Sequence, residues 1–542
     1  MTAVTAATDP AARTLMVQGT ASSVGKSLLV TALCRLFRRA GVRVAPFKSQ
    51  NMSLNACVTP DGREIGRAQA VQAEAAGAPL SVDMNPVLLK PEGSGRSQVV
   101  ILGKAIGSLT PAEYHGHKGE IRMIIAESLA RLRAAYDLVV IEGAGSPAEI
   151  NLKEHDIANM HVARLADAPV ILVGDIDRGG VFASLVGTME LLDRSERARV
   201  AGFVINKFRG DVSLLGSGLT SLTARTGVPV LGVLPFIEQL GIADEDGVAL
   251  DDRARESATF AAQPRDTAPI DLLVAVVRLP RISNHDEVQP LEYEPGVRLR
   301  FVEGAEEIAA ADLVILPGSK STVADLQWLR ERGLDRALRD RIAAGGLVLG
   351  ICGGCQMLGQ TIDDPDGVES PEAQTPGLGF LPLRTRFRTE KTVAQVKATV
   401  GAPSFLTAGL PRGTLLTGYE IHAGVVEAIP GAGAAAPFRL RERNRAAVDL
   451  TDGAVAPGGA VVGTLIHGLL ENDPVRAALL ATLRLRRSPV GQPVVSPVPA
   501  SSPSSSASSG RRSPEAAYDR LADVVRDHLD WPLVRRLAGL NA

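Results

Sequence analysis

Apolar runs a few residues long, several of them ending in polar clusters, alternate along most of this chain with stretches whose apolar positions recur at helical spacing. A run too short for a helix and apolar on both faces reads as a buried strand, and strands alternating with helices read as a parallel α/β sheet. In the first half the strand candidates are 14–17, 42–47, 99–102, 138–141, 170–173, 202–205 and 230–233, with a helical pattern from Leu28 to Phe37. Between Glu238 and Ala268 the periodicity fades into Asp-, Arg-, Ala- and Gly-rich sequence. A fresh α/β pattern opens at 271–277 and continues through 311–316, a helix over 323–344, and strands at 347–351 and 460–466. From Pro489 to Ser513 the chain is rich in serine and proline and cannot bury a core, whereas Glu515 to Leu540 regains helical spacing. The pattern predicts an α/β fold of two doubly wound, mostly parallel-sheet domains at 1–240 and 269–487. A linker at 241–268 joins them, and a disordered Ser/Pro linker at 488–513 leads to a C-terminal helix at 514–542.

Three strand ends in the first half carry chemistry. The run Thr14 to Val17 leads into Gly19-Thr20-Ala21-Ser22-Ser23-Val24-Gly25-Lys26-Ser27 and then a helix. Strand, glycine-rich loop, Lys-Ser and helix make a phosphate cradle: backbone N–H groups and the helix start meet the phosphates, Lys26 neutralises them and Ser27 is placed to ligate Mg²⁺. Five residues separate Gly19 from Gly25, one more than the usual spacing of such loops. Glu142, at the tip of 138–141 and followed by Gly143-Ala144-Gly145, is a second Mg²⁺-directed oxygen donor when paired with that loop, though alone it would read as a solvated turn. Asn206, in Asn206-Lys207-Phe208-Arg209, is a candidate for reading the nucleotide base and equally a turn former. Lys48 and Lys90 are candidates for binding phosphate or a substrate carboxylate; His115-Gly116-His117 lacks further ligands at metal spacing and reads as a polar loop.

The second half turns on Leu347-Val348-Leu349-Gly350-Ile351-Cys352-Gly353-Gly354-Cys355. A buried strand that ends on a cysteine and runs through glycines into a helix is the pattern of a nucleophile elbow, which exposes the thiol beside backbone N–H donors. His467 closes another such strand, and a thiol and an imidazole at two strand ends suit acyl transfer through a thioester. Gly318, in Pro317-Gly318-Ser319, and Gly353 are placed to supply backbone N–H groups to an oxyanion hole. The bland readings are a small buried cysteine, or a Cys352/Cys355 redox or zinc pair.

Composition narrows the setting without changing this picture. At 542 residues the chain has room for several cores, and 45% apolar with 22% charged residues is ordinary for a soluble globular protein. A formal net charge of −2 gives no general attraction to nucleic acid. Four cysteines cannot build a disulfide framework and suit a reducing compartment, and neither a leader pattern nor a membrane-length apolar run is seen. A cytoplasmic location is expected, with no membrane or nucleic-acid partner.

In carrying both sites, the chain resembles the cobyric acid synthase family, glutamine-dependent amide ligases of cobalamin biosynthesis, over nearly its full length. The first half is similar to P-loop, dethiobiotin-synthetase-type ATP domains through Gly19-Thr20-x-Ser22-x-x-Gly25-Lys26-Ser27 and Glu142-Gly143-Ala144-Gly145. The second is similar to class I glutamine amidotransferases through Arg281-Ile282-Ser283-Asn284, Pro317-Gly318-Ser319-Lys320-Ser321-Thr322, Gly350-Ile351-Cys352-Gly353-Gly354, Gly418-Tyr419-Glu420-Ile421-His422-x-Gly424 and His467-Gly468-x-x-Glu471.

The resemblance implies ATP, Mg²⁺ and glutamine, a corrinoid substrate, and amidation of the b, d, e and g carboxylates of adenosylcobyrinic acid a,c-diamide, with no protein-bound cobalt. It implies Cys352 and His467 as catalytic residues, and Gly19, Thr20, Ser22, Gly25, Lys26, Ser27 and Asn206 around the nucleotide. Many class I amidotransferases carry a glutamate two residues after the catalytic histidine; here that position is Leu469, which leaves Glu471 as an open candidate for a third member. A cobyrinic acid a,c-diamide synthase, a P-loop switch ATPase of the partitioning type and a cysteine hydrolase with an ancillary nucleotide domain remain as alternative readings.

Overall fold

A computed structural model describes residues 12–93, 95–237, 240–242, 271–487 and 514–541. These fall into two compact units, drawn from Met1–Ser53, Ile65–Glu245 and Arg512–Ala542 for the first and from Leu54–Glu64 and Asp246–Arg511 for the second. The predicted Ser/Pro linker at 488–513 and nearly all of that at 241–268 lie outside the described residues. Among the described residues no helix is long and apolar enough to cross a membrane.

The first unit is built on a six-stranded parallel sheet in the order Val230–Pro235, Val200–Phe208, Val170–Asp175, Arg13–Gly19, Leu138–Glu142, Val44–Phe47. From strand Arg13–Gly19 the chain first crosses to Val44–Phe47 on one side, whereas Val170–Asp175, Val200–Phe208 and Val230–Pro235 are added on the other, so the loop after it opens at the topological switch point, where open α/β sheets bind ligands. The central strands are buried on both faces, which is why they read as unbroken apolar runs instead of alternating ones. The run at 99–102 joins a different layer: strand Arg96–Ile101 belongs to a four-stranded side sheet with Gln50–Met52, Val87–Gly93 and Lys104–Leu109.

The C-terminal stretch forms two helices, Pro514–His528 and Trp531–Leu537, in place of the one expected. The break falls where Leu529 pairs with the edge residue Gly232 and the Asp530 N–H reaches the Leu231 carbonyl at 2.7 Å. Both helices pack on Lys26–Arg39, the helix that starts at the phosphate loop. Ala517, Leu521, Ala522 and Val525 join its core, and Trp531 lies on Phe37 with ring centroids 4.9 Å apart. Arg35 forks onto Asp519 with two 2.8 Å bonds, and Arg39 meets Asp523 at 2.8 Å.

The second unit has its own parallel sheet, ordered Val297–Val302, Leu272–Val277, Leu313–Leu316, Leu347–Ile351, Val461–Thr464, with Ala454–Val455 antiparallel at the edge. The expected helix at 323–344 is interrupted. It runs as Thr322–Glu331 and Leu334–Ala343, because Gly333 adopts φ 69°, a left-handed conformation that stops a helix. A mostly antiparallel sheet absent from the strand expectations covers one flank, dominated by Leu383–Val400 and Leu415–Ala428. Residues 383–388 alternate strictly between buried and exposed, the mark of a sheet with one face on the core.

The terminal helices are held by apolar burial more than by ion pairs whose acids, Asp519 and Asp523, stay 43% and 44% exposed. Leu521→Ala should therefore destabilise the first unit by about 2–5 kcal/mol, against about 1 kcal/mol for Arg35→Ala. Denaturant unfolding of both variants checks this, and the reverse order would assign the docking to charge.

Candidate active sites

In the first unit the phosphate loop is held open by its neighbours. The Thr20 N–H reaches the Val173 carbonyl on the adjacent strand at 2.9 Å, and Asn206 Nδ2 donates to the Val24 carbonyl at 2.8 Å. Asn206 is therefore engaged in bracing the loop's backbone. Gly25, at φ 98°, has no alternative: a Cβ there would sit 2.1 Å from Asn206 Nδ2. Lys26 Nζ donates to the carbonyls of Ala21 at 2.9 Å and Gly145 at 3.1 Å, with its ammonium beside Gly19. Ser22 lies exposed at the loop's tip.

Strand pairing places Val17 against Glu142, so the acid emerges beside the loop. Glu142 is fully buried and its two oxygens are matched by three side chains: Ser27 Oγ and Lys48 Nζ donate to Oε1 at 2.8 Å each, and Gln72 Nε2 donates to Oε2 at 2.6 Å. Lys48, read in sequence as a substrate contact, is thus an ion-pair partner of Glu142. Lys90 lies buried on strand Val87–Gly93 of the side sheet. Gln72 and Asn159 carried no sequence signal. Asn159 accepts the Ala144 N–H at 3.1 Å and donates to the Ala144 carbonyl at 2.7 Å, clamping the turn that delivers the Gly145 carbonyl to Lys26. The adjacent hydroxyl and carboxylate of Ser27 and Glu142 are the hard-oxygen set that Mg²⁺ takes alongside phosphate oxygens, so the residues present fit that ion.

In the second unit the family markers converge. The Cys352 strand and the His467 strand pair in parallel, Gly350 against Gly463 and Ile351 against Thr464, and the Cys352 N–H reaches the Thr464 carbonyl at 2.8 Å. Cys352 has φ 50° and ψ −109°, a conformation that costs a non-glycine residue about 1–3 kcal/mol and marks the sharp turn of an elbow. The turn needs bare backbone behind it, for a Cβ on Gly354 would lie 2.0 Å from the Leu316 carbonyl oxygen. Ile282–Ser283 pairs with Gly318–Ser319, which sets Gly318 beside the imidazole: a Cβ there would be 3.2 Å from His467 Cε1. Gly353 in turn faces the Ser319 N–H, so both glycines expected at the oxyanion hole border the thiol and imidazole.

Strand Leu415–Ala428 completes the enclosure. Tyr419 and His467 exchange backbone bonds of 3.2 and 2.8 Å, their rings stack at 5.2 Å, and the Ile421 carbonyl accepts from Cys352 Sγ at 3.6 Å. Asp452 accepts the Leu465 N–H at 3.1 Å and the Thr464 hydroxyl, fixing the turn that ends on His467.

His467 is 1% exposed, and its Nδ1 lies 3.1–3.2 Å from both carboxylate oxygens of Glu287, which also accepts the Gly468 N–H at 3.3 Å. Burial alone would lower the imidazole's pKa; the Glu287 carboxylate and the Cys352 sulfur overcome it and push the value up to about 10. Glu287, itself buried, was missed because it lies 180 residues before His467 in the chain. Its one sequence signal is that it follows Arg281-Ile282-Ser283-Asn284 on the next turn. Cys355 is wholly buried with its Sγ against Gly463, and burial holds its thiol well above the usual range.

The comparisons with known proteins name a domain over each half of the chain. Residues 15–250 match the CobQ/CobB/MinD/ParA nucleotide binding domain, and residues 273–475 match the CobB/CobQ-like glutamine amidotransferase domain. Over 542 residues the chain is 60% identical to a cobyric acid synthase of Sorangium cellulosum (strain So ce56), covering 98% of this chain and 99% of that one. It is 54% identical to a cobyric acid synthase of Desulforudis audaxviator (strain MP104C), covering 87% and 90%, and 47% identical to one of Moorella thermoacetica (strain ATCC 39073 / JCM 9320), covering 98% of each. A nucleotide-binding unit and an amidotransferase unit in one chain, matched end to end by such relatives, place this protein in the cobyric acid synthase family.

Proposed function

We propose that the chain amidates the b, d, e and g carboxylates of adenosylcobyrinic acid a,c-diamide, with glutamine as nitrogen donor and ATP as activator. The observation that carries this reading is the pairing, in one polypeptide, of the Cys352–His467–Glu287 array with a phosphate loop whose Ser27 meets a buried Glu142. A carboxylate resists attack by nitrogen because its charge and resonance must first be removed. Transfer of the γ-phosphoryl group of ATP to a substrate carboxylate oxygen gives an acyl phosphate and ADP, and ammonia then displaces phosphate to form the amide. Lys26 and the loop N–H groups take up the charge of the phosphates. Ser27 and Glu142 would hold Mg²⁺, which would supply neutralisation of phosphate charge.

Free ammonia is mostly ammonium at neutral pH, so its release at a dedicated thiol serves the same reaction. The Cys352 thiolate attacks the glutamine carboxamide carbon and the oxyanion that forms is met by backbone donors around Gly353 and Gly318. The His467 imidazolium gives its proton to the departing ammonia; as base it then draws a proton from water, which cleaves the thioester to glutamate. Glu287 keeps the imidazole oriented and charged.

Mass spectrometry of the purified protein incubated with ATP, Mg²⁺, glutamine and the corrinoid a,c-diamide should reveal successive OH-to-NH₂ exchanges; a product only from unamidated cobyrinic acid would sink the substrate assignment. Cys352→Ala should lose glutamine-dependent synthesis and keep synthesis from ammonia, while Lys26→Ala loses both; loss with both nitrogen sources in Cys352→Ala contradicts its role. Glu287→Gln should lower the glutaminase kcat by about 10²–10⁴-fold. Removing the carboxylate lowers the imidazolium pKa, so the alkaline limb of the pH profile should move from near 10 toward neutral. An unmoved limb would mean that Glu287 does not set the charge of His467.

A further inference from the structure

The segment Leu54–Glu64 belongs by sequence to the nucleotide-binding half, where it lies between Lys48 and Gln72, both ligands of Glu142. In space it belongs to the second unit. It turns back on itself, with the Thr59 N–H on the Arg63 carbonyl at 2.8 Å and the Gly62 N–H on the Thr59 carbonyl at 2.9 Å, so the segment is a hairpin. Three contacts moor it within the second unit. Glu64, 1% exposed, meets Lys391 Nζ at 2.7 Å; Gln395 Nε2 donates to the Val58 carbonyl at 2.9 Å; and the Ala56 N–H donates to Asn284 Oδ1 at 2.9 Å.

The third contact bears on the chemistry. Asn284 is buried and left-handed, with φ 53° and ψ 36°, and it immediately precedes the one-turn helix His285–Val288 that carries Glu287. Its carbonyl accepts the Glu287 N–H at 3.2 Å. A turn that needed only a positive φ would be served at least as well by glycine, whereas here the amide side chain is spent on a buried backbone N–H from a segment some 230 residues away. The carboxylate downstream has little slack: its bonds to His467 Nδ1 and the Gly468 N–H are already 3.1–3.3 Å long, so a shift of about 0.5 Å would remove them.

We propose that Asn284 is a positioning residue for glutamine hydrolysis. By gripping the Ala56 N–H of the Leu54–Glu64 hairpin, it fixes the turn that holds the Glu287 carboxylate on His467, so the glutaminase site is completed by a segment from the nucleotide-binding half of the chain. This rests on the reading of Cys352, His467 and Glu287 given above. Around the imidazole, the groups that face it are Glu287, the Cys352 sulfur and the stacked Tyr419 ring, with Asp286 acting on Glu287.

The test is Asn284→Gly in the full-length protein, which keeps the left-handed backbone and removes the acceptor. The expected result is a fall of about 10-fold or more in glutaminase kcat, with the KM for glutamine changed by less than about twofold. The alkaline limb of the pH profile should shift down in the direction of Glu287→Gln, and ammonia-dependent amidation should be retained. Asn284→Asp, which restores an acceptor for the Ala56 N–H, should recover most of the lost kcat. Unchanged kcat and pH profile in Asn284→Gly overturn the proposal. If Asn284→Gly also loses ammonia-dependent activity, the comparison rests on Asn284→Asp: wild-type-like hydrolysis upholds the role of the acceptor, and its absence overturns it. Should Cys352→Ala or Glu287→Gln hydrolyse glutamine normally, the underlying reading fails instead, whatever Asn284 does.

Discussion

A buried imidazole that must carry a proton needs a carboxylate beside it, and the amidotransferase unit is arranged around meeting that need. His467 is almost without solvent, a setting that by itself favours the neutral ring. Glu287 reverses the balance and holds the imidazole charged beside the Cys352 sulfur. The carboxylate is bound from both sides, by the imidazole and by the Gly468 N–H, which work against the upward push that burial gives its own pKa. The strained backbone at Cys352 is tolerable for a related reason. The parallel ladder to the His467 strand and the bare glycine backbone behind the elbow hold it in place from several directions.

The same rule governs the nucleotide unit with the signs exchanged. Glu142 is fully buried, and a carboxylate in that position requires donors on both oxygens. Ser27, Lys48 and Gln72 supply them from three separate elements, so one acid ties the phosphate-loop helix to the neighbouring strand end and to the helix Arg67–Ala76. Breaking such a buried pair by removing one partner typically costs about 3–5 kcal/mol, which makes Glu142 a structural keystone as well as a metal candidate. Lys48 and Gln72 flank the hairpin that moors on Asn284, so the chain leaves and re-enters the first unit between two residues that share one carboxylate.

Neither unit is continuous in sequence. The first is closed by helices from the far end of the chain, which cover the apolar face of the helix that begins at Lys26. The second is completed by eleven residues, Leu54–Glu64, from the front. Each excursion is anchored by burial together with a few directed bonds: Leu521 and Val525 with the Arg35 fork in one case, Ala56 and Glu64 in the other.

Much of this was legible in the residues, for identifiable reasons. Buried parallel strands are uniformly apolar, so the central strands of both sheets stood out. Phosphate loops and nucleophile elbows are local turns whose glycines, Lys26 and Cys352 must be adjacent in the chain, so they stood out as well. The alternation at the start of Leu383–Val400 was also present, with Arg384, Arg386 and Arg388 at alternate positions, but half of a one-sided sheet is polar and the run did not read as a strand. What the sequence could not disclose was partnership over distance. Glu287 on His467, Gln72 on Glu142, Asn159 on the Gly143–Gly145 turn and Ala56 on Asn284 join residues from separate elements whose meeting depends on how sheets and crossovers pack. Local geometry was written in the chain, whereas the choice of which carboxylate sits beside which cation was made by tertiary structure, because a hydrogen bond senses position in space and not distance along the backbone.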